Sequence, residues 1–213
     1  MQIILISGFL GSGKTTLLIQ LSDYLFQLNP PSDSASSSTT NKIAIIENEI
    51  GSINLDSRML NKKGYTLREM LSGCICCSLQ DNLGMEITNI AKSLQPDWLL
   101  IEATGLASAR EVAEGIRSMV DKKHYSSIFS IVLADTSRLP MLLQVTERMV
   151  HRQLEYVDAL ILNKIDLITS GQLDQCRQEL LAINPDMQVI EVSAEKGIPS
   201  EVWQRLFEGK KAG

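Results

Sequence analysis

Short apolar runs alternate along this chain with longer segments of helical pattern. The apolar runs are residues 3–7, 42–47, 97–102, 127–135, 158–163 and 187–193, with a further short strand predicted in YTLREM, 65–70. Most are apolar at consecutive positions, as is typical of strands buried on both faces. Helical patterns lie near residues 15–28, 79–95, 108–120, 138–156, 172–183 and 197–207. This alternation predicts an α/β fold, in which a mainly parallel sheet carries helices on both faces.

One segment, NPPSDSASSSTTN at 29–41, interrupts this pattern because it is rich in Ser, Thr and Pro and has no apolar anchor. We interpret it as a flexible surface loop. The alternative is a regulated or partner-binding loop, since its hydroxyls are open to modification.

The whole chain has 213 residues, of which 44% are hydrophobic. This length predicts a single domain over residues 1–213.

Charge and hydropathy exclude several classes of partner. The net charge is −5 without a Lys/Arg cluster, which argues against nucleic acid and anionic membranes as partners. No apolar run reaches the roughly 18–20 residues that a membrane-spanning helix needs. The start, MQIILIS, lacks the basic flank and cleavage site of a signal peptide. We therefore expect a cytoplasmic protein with reduced thiols. In such a protein the three cysteines clustered at Cys74, Cys76 and Cys77 indicate metal or redox chemistry.

The segment GFLGSGKTT, 8–16, fits the phosphate-binding pattern G-x-x-x-x-G-K-[ST] between a predicted strand and a predicted helix. Glycines let the backbone wrap around phosphates, so that amide N–H groups point at them from a helix N-terminus. Lys14 is expected to neutralise the β- and γ-phosphates, and the Thr15 hydroxyl is expected to reach Mg²⁺. The predicted nucleotide contacts in this loop are Gly11, Ser12, Gly13, Lys14, Thr15 and Thr16.

Carboxylates at the ends of two strands are candidates to complete that site. Glu102 ends WLLIE at the carboxyl edge of the sheet, where open α/β sheets bind ligands. Gly105 follows as a candidate sensor of the γ-phosphate. Glu47 and Glu49 lie in IIENEIG. Lys14, Thr15 and Glu102 are the candidate catalytic residues, and the sequence leaves open which carboxylate contacts Mg²⁺.

A second motif, NKID, follows an apolar strand and indicates the base. Asp166 is expected to accept hydrogen bonds from the guanine N1–H and exocyclic amine, a donor pair that adenine lacks. Asn163 is expected to brace the loops, and the stem of Lys164 to cover the purine face. The segment VSAEKG, 192–197, adds Ser193 and Ala194 as a backbone contact to guanine O6. Together with the phosphate loop, these residues predict GTP or GDP as the ligand.

In their order, GFLGSGKTT, IENEIG, SGCICCS, LLIEATGLA and NKID resemble the CobW family of GTPases. These are cobalamin-synthesis-type metallochaperones, related to the nickel-inserting urease and hydrogenase GTPases. The resemblance covers residues 1 to about 207. It implies a P-loop NTPase fold of three layers, and a transition-metal site at Cys74, Cys76 and Cys77 with Glu47 as a further candidate ligand. Members commonly carry a C-terminal domain, often with a His-rich stretch, which we expect to be absent here.

The chemistry of three thiolates within four residues agrees with that implication. Such a cluster can converge on one soft ion such as Zn²⁺ or Co²⁺ and leave a position for a carboxylate, water or client ligand. An incomplete shell suits a carrier that must release its ion. Two alternatives stay open: three buried small side chains, or a redox switch. Cys176, alone in a helical pattern, is expected to be structural.

The sequence therefore predicts a GTP-hydrolysing metallochaperone or insertase for a transition metal or metallocofactor. Its hydrolysis is expected to be slow until a partner, or a nucleotide- or metal-dependent homodimer, stimulates it. The client is a metalloprotein or a cofactor-assembly protein. The main alternative is a regulatory switch GTPase that binds a protein and uses its cysteines as a redox sensor. A nucleotide kinase is disfavoured by NKID and by the lack of an obvious arginine-rich lid.

Overall fold

The computed structural model describes residues 1–28, 42–47, 66–69, 78–103, 108–155 and 157–208. The loop predicted at 29–41 lies outside these ranges, so it stays a prediction. Within them, no helix combines the length and the apolarity that crossing a bilayer requires.

The described strands form one parallel sheet of seven strands, with helices between them. The strands are β1 Gln2–Gly8, β2 Ile43–Glu47, β3 Thr66–Glu69, β4 Trp98–Glu102, β5 Ser127–Asp135, β6 Ala159–Asn163 and β7 Gln188–Glu191. The helices are α1 Lys14–Leu28, α2 Ser78–Ser93, α3 Ala109–Met119, α4 Leu139–Leu154, α5 Ser170–Ile183 and α6 Ser200–Glu208. The strand order is β3-β2-β4-β1-β5-β6-β7. The predicted α/β fold with a parallel sheet is confirmed.

Two helix starts differ from the sequence prediction because of local capping and turn chemistry. Helix α5 begins at 170 rather than 172, because the Thr169 hydroxyl accepts from the Gln172 backbone N–H while the Gln172 side chain accepts from the Thr169 N–H. Helix α6 begins at 200 rather than 197. There Gly197 has a φ of +85° and Pro199 follows, so the chain turns before the helix starts.

The sheet is covered on both faces, which makes three layers. Ile4 and Ile6 of β1 belong to a buried cluster with side chains of α1 and α6. Ile3 and Leu5, which alternate with them, belong to a cluster with α2 and α3 on the opposite face. Helices α4 and α5 extend that opposite face over β5 and β6. Because both faces of the strands are buried, their sequences are apolar at consecutive positions.

The parallel arrangement brings the carboxyl ends of the strands to one edge. In the backbone register, Glu102 of β4 pairs with Ile6 of β1 and with Glu47 of β2. Gly8 of β1 pairs with a residue of β5, and Asp135 at the end of β5 pairs with Asn163 at the end of β6. Since β1 lies in the middle of the sheet, the loop that follows it enters the crevice between these strand ends, where α/β proteins bind ligands.

Candidate functional site

The loop between β1 and α1 lies in close contact with its neighbours because it has glycine where other residues do not fit. Gly8 has a φ of +137°, and a Cβ there would lie 2.1 Å from the carbonyl oxygen of Leu133. Gly13 has a φ of +98°, and a Cβ there would lie 2.6 Å from Nδ2 of Asn163. A side chain at either position would push the loop away from β5 or from the residue that ends β6.

Lys14 begins helix α1 directly after this loop, and its side chain turns back over the loop. Lys14 is only 6% exposed, and its Nζ donates to the carbonyl oxygens of Gly8 at 3.2 Å and Phe9 at 3.4 Å. The first-turn N–H groups of a helix have no acceptor within their own helix and attract anions. A buried ammonium beside a helix N-terminus makes this loop a suitable site for phosphates.

Thr15 and Glu102 meet on one side of the loop. The Thr15 hydroxyl donates to Oε2 of Glu102 at 3.3 Å and to Oε1 at 3.4 Å, and Glu102 is 3% exposed. A hydroxyl and a carboxylate are hard oxygen donors of the kind that Mg²⁺ prefers, so the two residues fit a magnesium site chemically. The backbone of Glu47 lies in register with Glu102, but its side chain and residue 49 are outside the described part of the chain.

Asn163 connects the phosphate loop with the segment that follows β7. Its Nδ2 donates to the carbonyl oxygen of Ser12 at 2.8 Å, and its Oδ1 accepts from the backbone N–H of Ala194 at 2.9 Å. Its own carbonyl accepts from the N–H of Thr136 at 3.0 Å and from the Thr136 hydroxyl at 2.8 Å. With 2% exposure, this amide is buried and its polar groups are paired. Asn163 therefore holds three separate loops at fixed distances.

Lys164 follows in a left-handed backbone conformation with a φ of 62°, which is costly for a residue with a Cβ. Its Nζ donates to Oδ2 of Asp135 at 2.6 Å and to the carbonyl oxygen of Gly11 at 2.7 Å. The head group thus ties the NKID segment to the phosphate loop. That its stem covers the purine stays a prediction.

Asp166 is exposed at the edge of the same crevice. The Ser193 hydroxyl faces its carboxylate and lowers the pKa of Asp166 below the ordinary value, although the two groups do not reach the geometry of a full hydrogen bond. Asp166 is therefore an ionised acceptor at neutral pH that a bound ligand can reach.

The structure places part of the predicted site residues, in two groups. Ser12 is buried and Gly11 and Thr16 are exposed along the loop and the first turn of α1. Asn163, Lys164, Asp166, Ser193 and Ala194 lie together beyond it, joined to the loop by the contacts above. Glu49, Gly105, Cys74, Cys76 and Cys77 lie outside the described residues, so their roles stay predictions.

Two residues that contact the site, Asp135 and Gln20, were not predicted from the sequence. Asp135 ends the apolar strand β5 as Glu102 ends β4, so the rule that selected Glu102 applies to it equally. It is 3% exposed and hydrogen-bonds to Lys164 and Ser137. Gln20 contacts the segment after β7 through its side-chain amide. No sequence pattern marks this residue, because a glutamine in the middle of a helix is ordinary.

Asp135→Asn is expected to lower the free energy of unfolding by about 1–3 kcal/mol at neutral pH, because Lys164 loses its anionic partner. Burial raises the pKa of Asp135, but hydrogen bonds from Lys164 and Ser137 outweigh it, and the pKa lies below the ordinary value. The stabilisation is therefore complete above the unfolded aspartate pKa of about 3.9 and is lost as pH falls through the lower folded value.

Urea unfolding of both proteins at about pH 7 and at about pH 3 measures this difference. The difference in the free energy of unfolding between wild type and variant should be large at the higher pH and smaller at the lower pH. Asp174→Asn, an exposed position on α5, serves as the control and should change little at either pH. A gap independent of pH would contradict the ion pair as its source.

The sequence of this chain matches a known protein family. Residues 2–191 match the family described as CobW/HypB/UreG, nucleotide-binding domain. The chain belongs to this family. The predicted resemblance is thereby confirmed, and the match includes both the phosphate loop and the NKID segment.

Curated relatives in this family carry names that refer to zinc and GTP. The chain is 27% identical over 97% of its length to "Zinc-regulated GTPase metalloprotein activator 1" of Dictyostelium discoideum, of which it covers 49%. It is 29% identical over 89% of its length to "Zinc chaperone YjiA" of Escherichia coli, of which it covers 56%. The chain thus spans about half the length of these relatives.

Solved structures share the fold. The hydrogenase maturation factor HypB from Archaeoglobus fulgidus matches 98% of this chain and 89% of its own with a TM-score of 0.67, at 19% identity, which shows the fold alone. The Zn(II)-bound YjiA GTPase of E. coli matches 89% of this chain and 56% of its own with a TM-score of 0.60, at 26% identity. The three-layer P-loop fold is confirmed by these neighbours.

Proposed function

We propose that this chain binds and hydrolyses GTP and couples that cycle to the binding and delivery of a transition metal. The observation that carries the nucleotide assignment is the position of Asn163, which hydrogen-bonds to the phosphate loop through Ser12 and to the segment after β7 through Ala194. A single ligand that spans both loops needs phosphates at one end and a polar base at the other. Family membership supports a nucleotide in this position.

Each residue has a separate task in this proposal. Lys14 and the N-terminus of α1 bind the β- and γ-phosphates, and the buried position of Lys14 keeps its charge unscreened. Thr15 and Glu102 hold Mg²⁺, which when bound neutralises charge on the phosphates. The alternative role of Glu102 is to position the attacking water instead of Mg²⁺. Asp166 accepts hydrogen bonds from guanine, and Lys164 keeps that segment against the loop through Gly11.

For the metal, we propose Cys74, Cys76 and Cys77 as the ligands, with Glu47 as a further candidate. Relatives named as zinc chaperones, and a neighbour solved with Zn(II), support Zn²⁺, with Co²⁺ as the next candidate. Thiolates bind these ions strongly and bind Mg²⁺ poorly, so the two metal sites stay chemically separate. The client is a metalloprotein or a cofactor-assembly protein, and turnover is slow until a partner or a second copy of this chain stimulates it.

The metal proposal predicts linkage between metal and nucleotide. The protein with a non-hydrolysable GTP analogue is expected to hold Zn²⁺ more tightly than the protein with GDP, by roughly 5–150-fold for a typical coupling. Thermodynamic reciprocity then requires Zn²⁺ to raise the preference for the analogue over GDP by the same factor. Competition titrations against a chromophoric chelator, with Zn²⁺ and then Co²⁺, measure the metal affinity in both nucleotide states.

Cys76→Ser tests whether the cysteines hold this metal. The variant is expected to lose Zn²⁺ affinity by about tenfold or more, because an alcohol is a poorer ligand than a thiolate at neutral pH. GTP binding in metal-free buffer should be unchanged. The matched control is Cys176→Ser, whose thiol is buried in α5 and lies outside the motif in the sequence. In the titrations of the wild-type protein described above, equal Zn²⁺ affinity with GDP and with the GTP analogue would refute the carrier role and favour a regulatory GTPase.

A further inference from the structure

Gln20, in the second turn of α1, makes two hydrogen bonds to the segment that follows β7. Its Nε2 donates to the carbonyl oxygen of Ala194 at 2.6 Å, and its Oε1 accepts from the backbone N–H of Ile198 at 2.9 Å. One primary amide thus holds the segment at the start of its single helical turn, Ala194–Lys196, and again two residues beyond the end of that turn. We refer to residues 193–198 as the base loop.

The base loop is also held by the hydrogen bond from Ala194 to Asn163 and by the packing of Ile198 against the core, whereas its middle is open to solvent. Glu195, Lys196 and Gly197 are exposed, and Gly197 has a φ of +85°. Beyond the loop, helix α6 is held independently, because Trp203 stacks on Tyr24 of α1 with ring centroids 6.0 Å apart. Gln20 is therefore not needed to dock α6. Its two hydrogen bonds act on the loop itself.

The peptide groups of Ala194 are held from two directions. The N–H of Ala194 donates to Asn163, which also binds the carbonyl of Ser12 in the phosphate loop. The carbonyl of Ala194 accepts from Gln20, which belongs to the helix that begins at Lys14. Both connections lead to the phosphate site, so these two amides help to set the distance between the base loop and the phosphate loop.

We propose that Gln20 is a positioning residue for base recognition, which sets guanine selectivity and nucleotide residence time through Ala194. This inference rests on the proposed nucleotide function and assigns a determinant within that site. Gln20 acts without touching the base, because its amide is used by the loop backbone. Polar contacts to a base depend steeply on distance, so a small outward shift of the loop weakens guanine binding and leaves phosphate binding intact.

Gln20→Met removes both hydrogen bonds while keeping the length of the side chain. The affinity for GTP is expected to fall roughly tenfold, mainly through faster dissociation. The affinities for ATP and for inorganic tripolyphosphate, which lack the guanine contacts, are expected to stay within about twofold of wild type. Titrations with all three ligands and stopped-flow release of a fluorescent GDP measure these changes, at a temperature where thermal unfolding shows both proteins folded.

Two further variants separate positioning from general stability. Gln20→Glu keeps the acceptor for Ile198 but places a carboxylate oxygen against the Ala194 carbonyl, so it is expected to lose GTP affinity at least as much. If Gln20→Met does not fold, Gln20→Glu tests the positioning role of Gln20 by itself. Gln175→Met removes an exposed amide on α5 that bonds to Glu179 at 2.9 Å, and it should change none of the three affinities.

The outcomes distinguish this inference from the nucleotide assignment. A wild-type protein that prefers GTP over ATP, with Gln20 variants that keep this preference or weaken all three ligands equally, would overturn the positioning role and leave the proposed function standing. A wild-type protein without preference for GTP over ATP would overturn the proposed function and, with it, this inference. A selective loss of GTP affinity in the Gln20 variants alone supports both.

Discussion

Lys14→Ala is expected to abolish tight GTP binding and to lower the affinity by roughly three orders of magnitude. Lys14 is 6% exposed, so the bound phosphates would interact with its ammonium where water screens the charge little. The N-terminus of α1 still attracts anions in the variant, which leaves weak residual binding. Equilibrium titration with a fluorescent GTP analogue measures the change, and single-turnover hydrolysis should fall in parallel.

The fold of the Lys14→Ala variant is expected to be intact. Nζ of Lys14 donates to two neutral carbonyl oxygens, of Gly8 and Phe9, at 3.2 and 3.4 Å. Removing it therefore strands no buried carboxylate, and thermal unfolding without nucleotide should change little. Lys92→Ala, at an exposed position of α2, is the matched control and should bind GTP as wild type does. Unchanged hydrolysis in Lys14→Ala would show that the phosphate-loop assignment is wrong.

Asp166→Asn is expected to weaken GTP binding by about a hundredfold and to shift the preference to xanthosine triphosphate. In the proposed function the carboxylate accepts from the N1–H and the exocyclic amine of guanine, whereas an asparagine amide can donate to the C2 carbonyl of xanthine. Because the Ser193 hydroxyl keeps the pKa of Asp166 below its ordinary value, the wild-type side chain is ionised throughout the neutral range. The preference for GTP should therefore be constant between about pH 6 and pH 8.

Competition between GTP, xanthosine triphosphate and ATP, measured for both proteins, tests this exchange. Asp186→Asn, an exposed aspartate beyond α5, should leave the order of affinities unchanged. The base assignment fails if the wild-type protein binds ATP as tightly as GTP. It also fails if Asp166→Asn keeps the wild-type preference, since guanine would then be recognised elsewhere.

The fold and the two nucleotide motifs were predictable from the sequence because each depends on local patterns. Consecutive apolar residues in β1 and β5 reflect burial on both faces of a parallel sheet, and their bounds were predicted within a residue or so. The phosphate loop needs glycine at Gly8 and Gly13 for reasons of backbone conformation, so its pattern is explicit in the sequence. The NKID pattern after β6 is likewise explicit in the sequence.

The contacts that join these motifs were decided only by the tertiary structure. Asn163 and Ser12 are 151 positions apart, and Gln20 and Ala194 are 174 positions apart, yet each pair is hydrogen-bonded. Their proximity follows from the strand order, which places β5 between β1 and β6 and brings the carboxyl ends of the described strands to one edge. When a side-chain amide hydrogen-bonds to a distant part of the backbone, no repeating pattern or fixed spacing in the sequence marks the contact. The sequence by itself therefore indicated which residues are candidates to contact the ligand, while the packing of α1, β5 and β6 determined which residues hold those candidates in place.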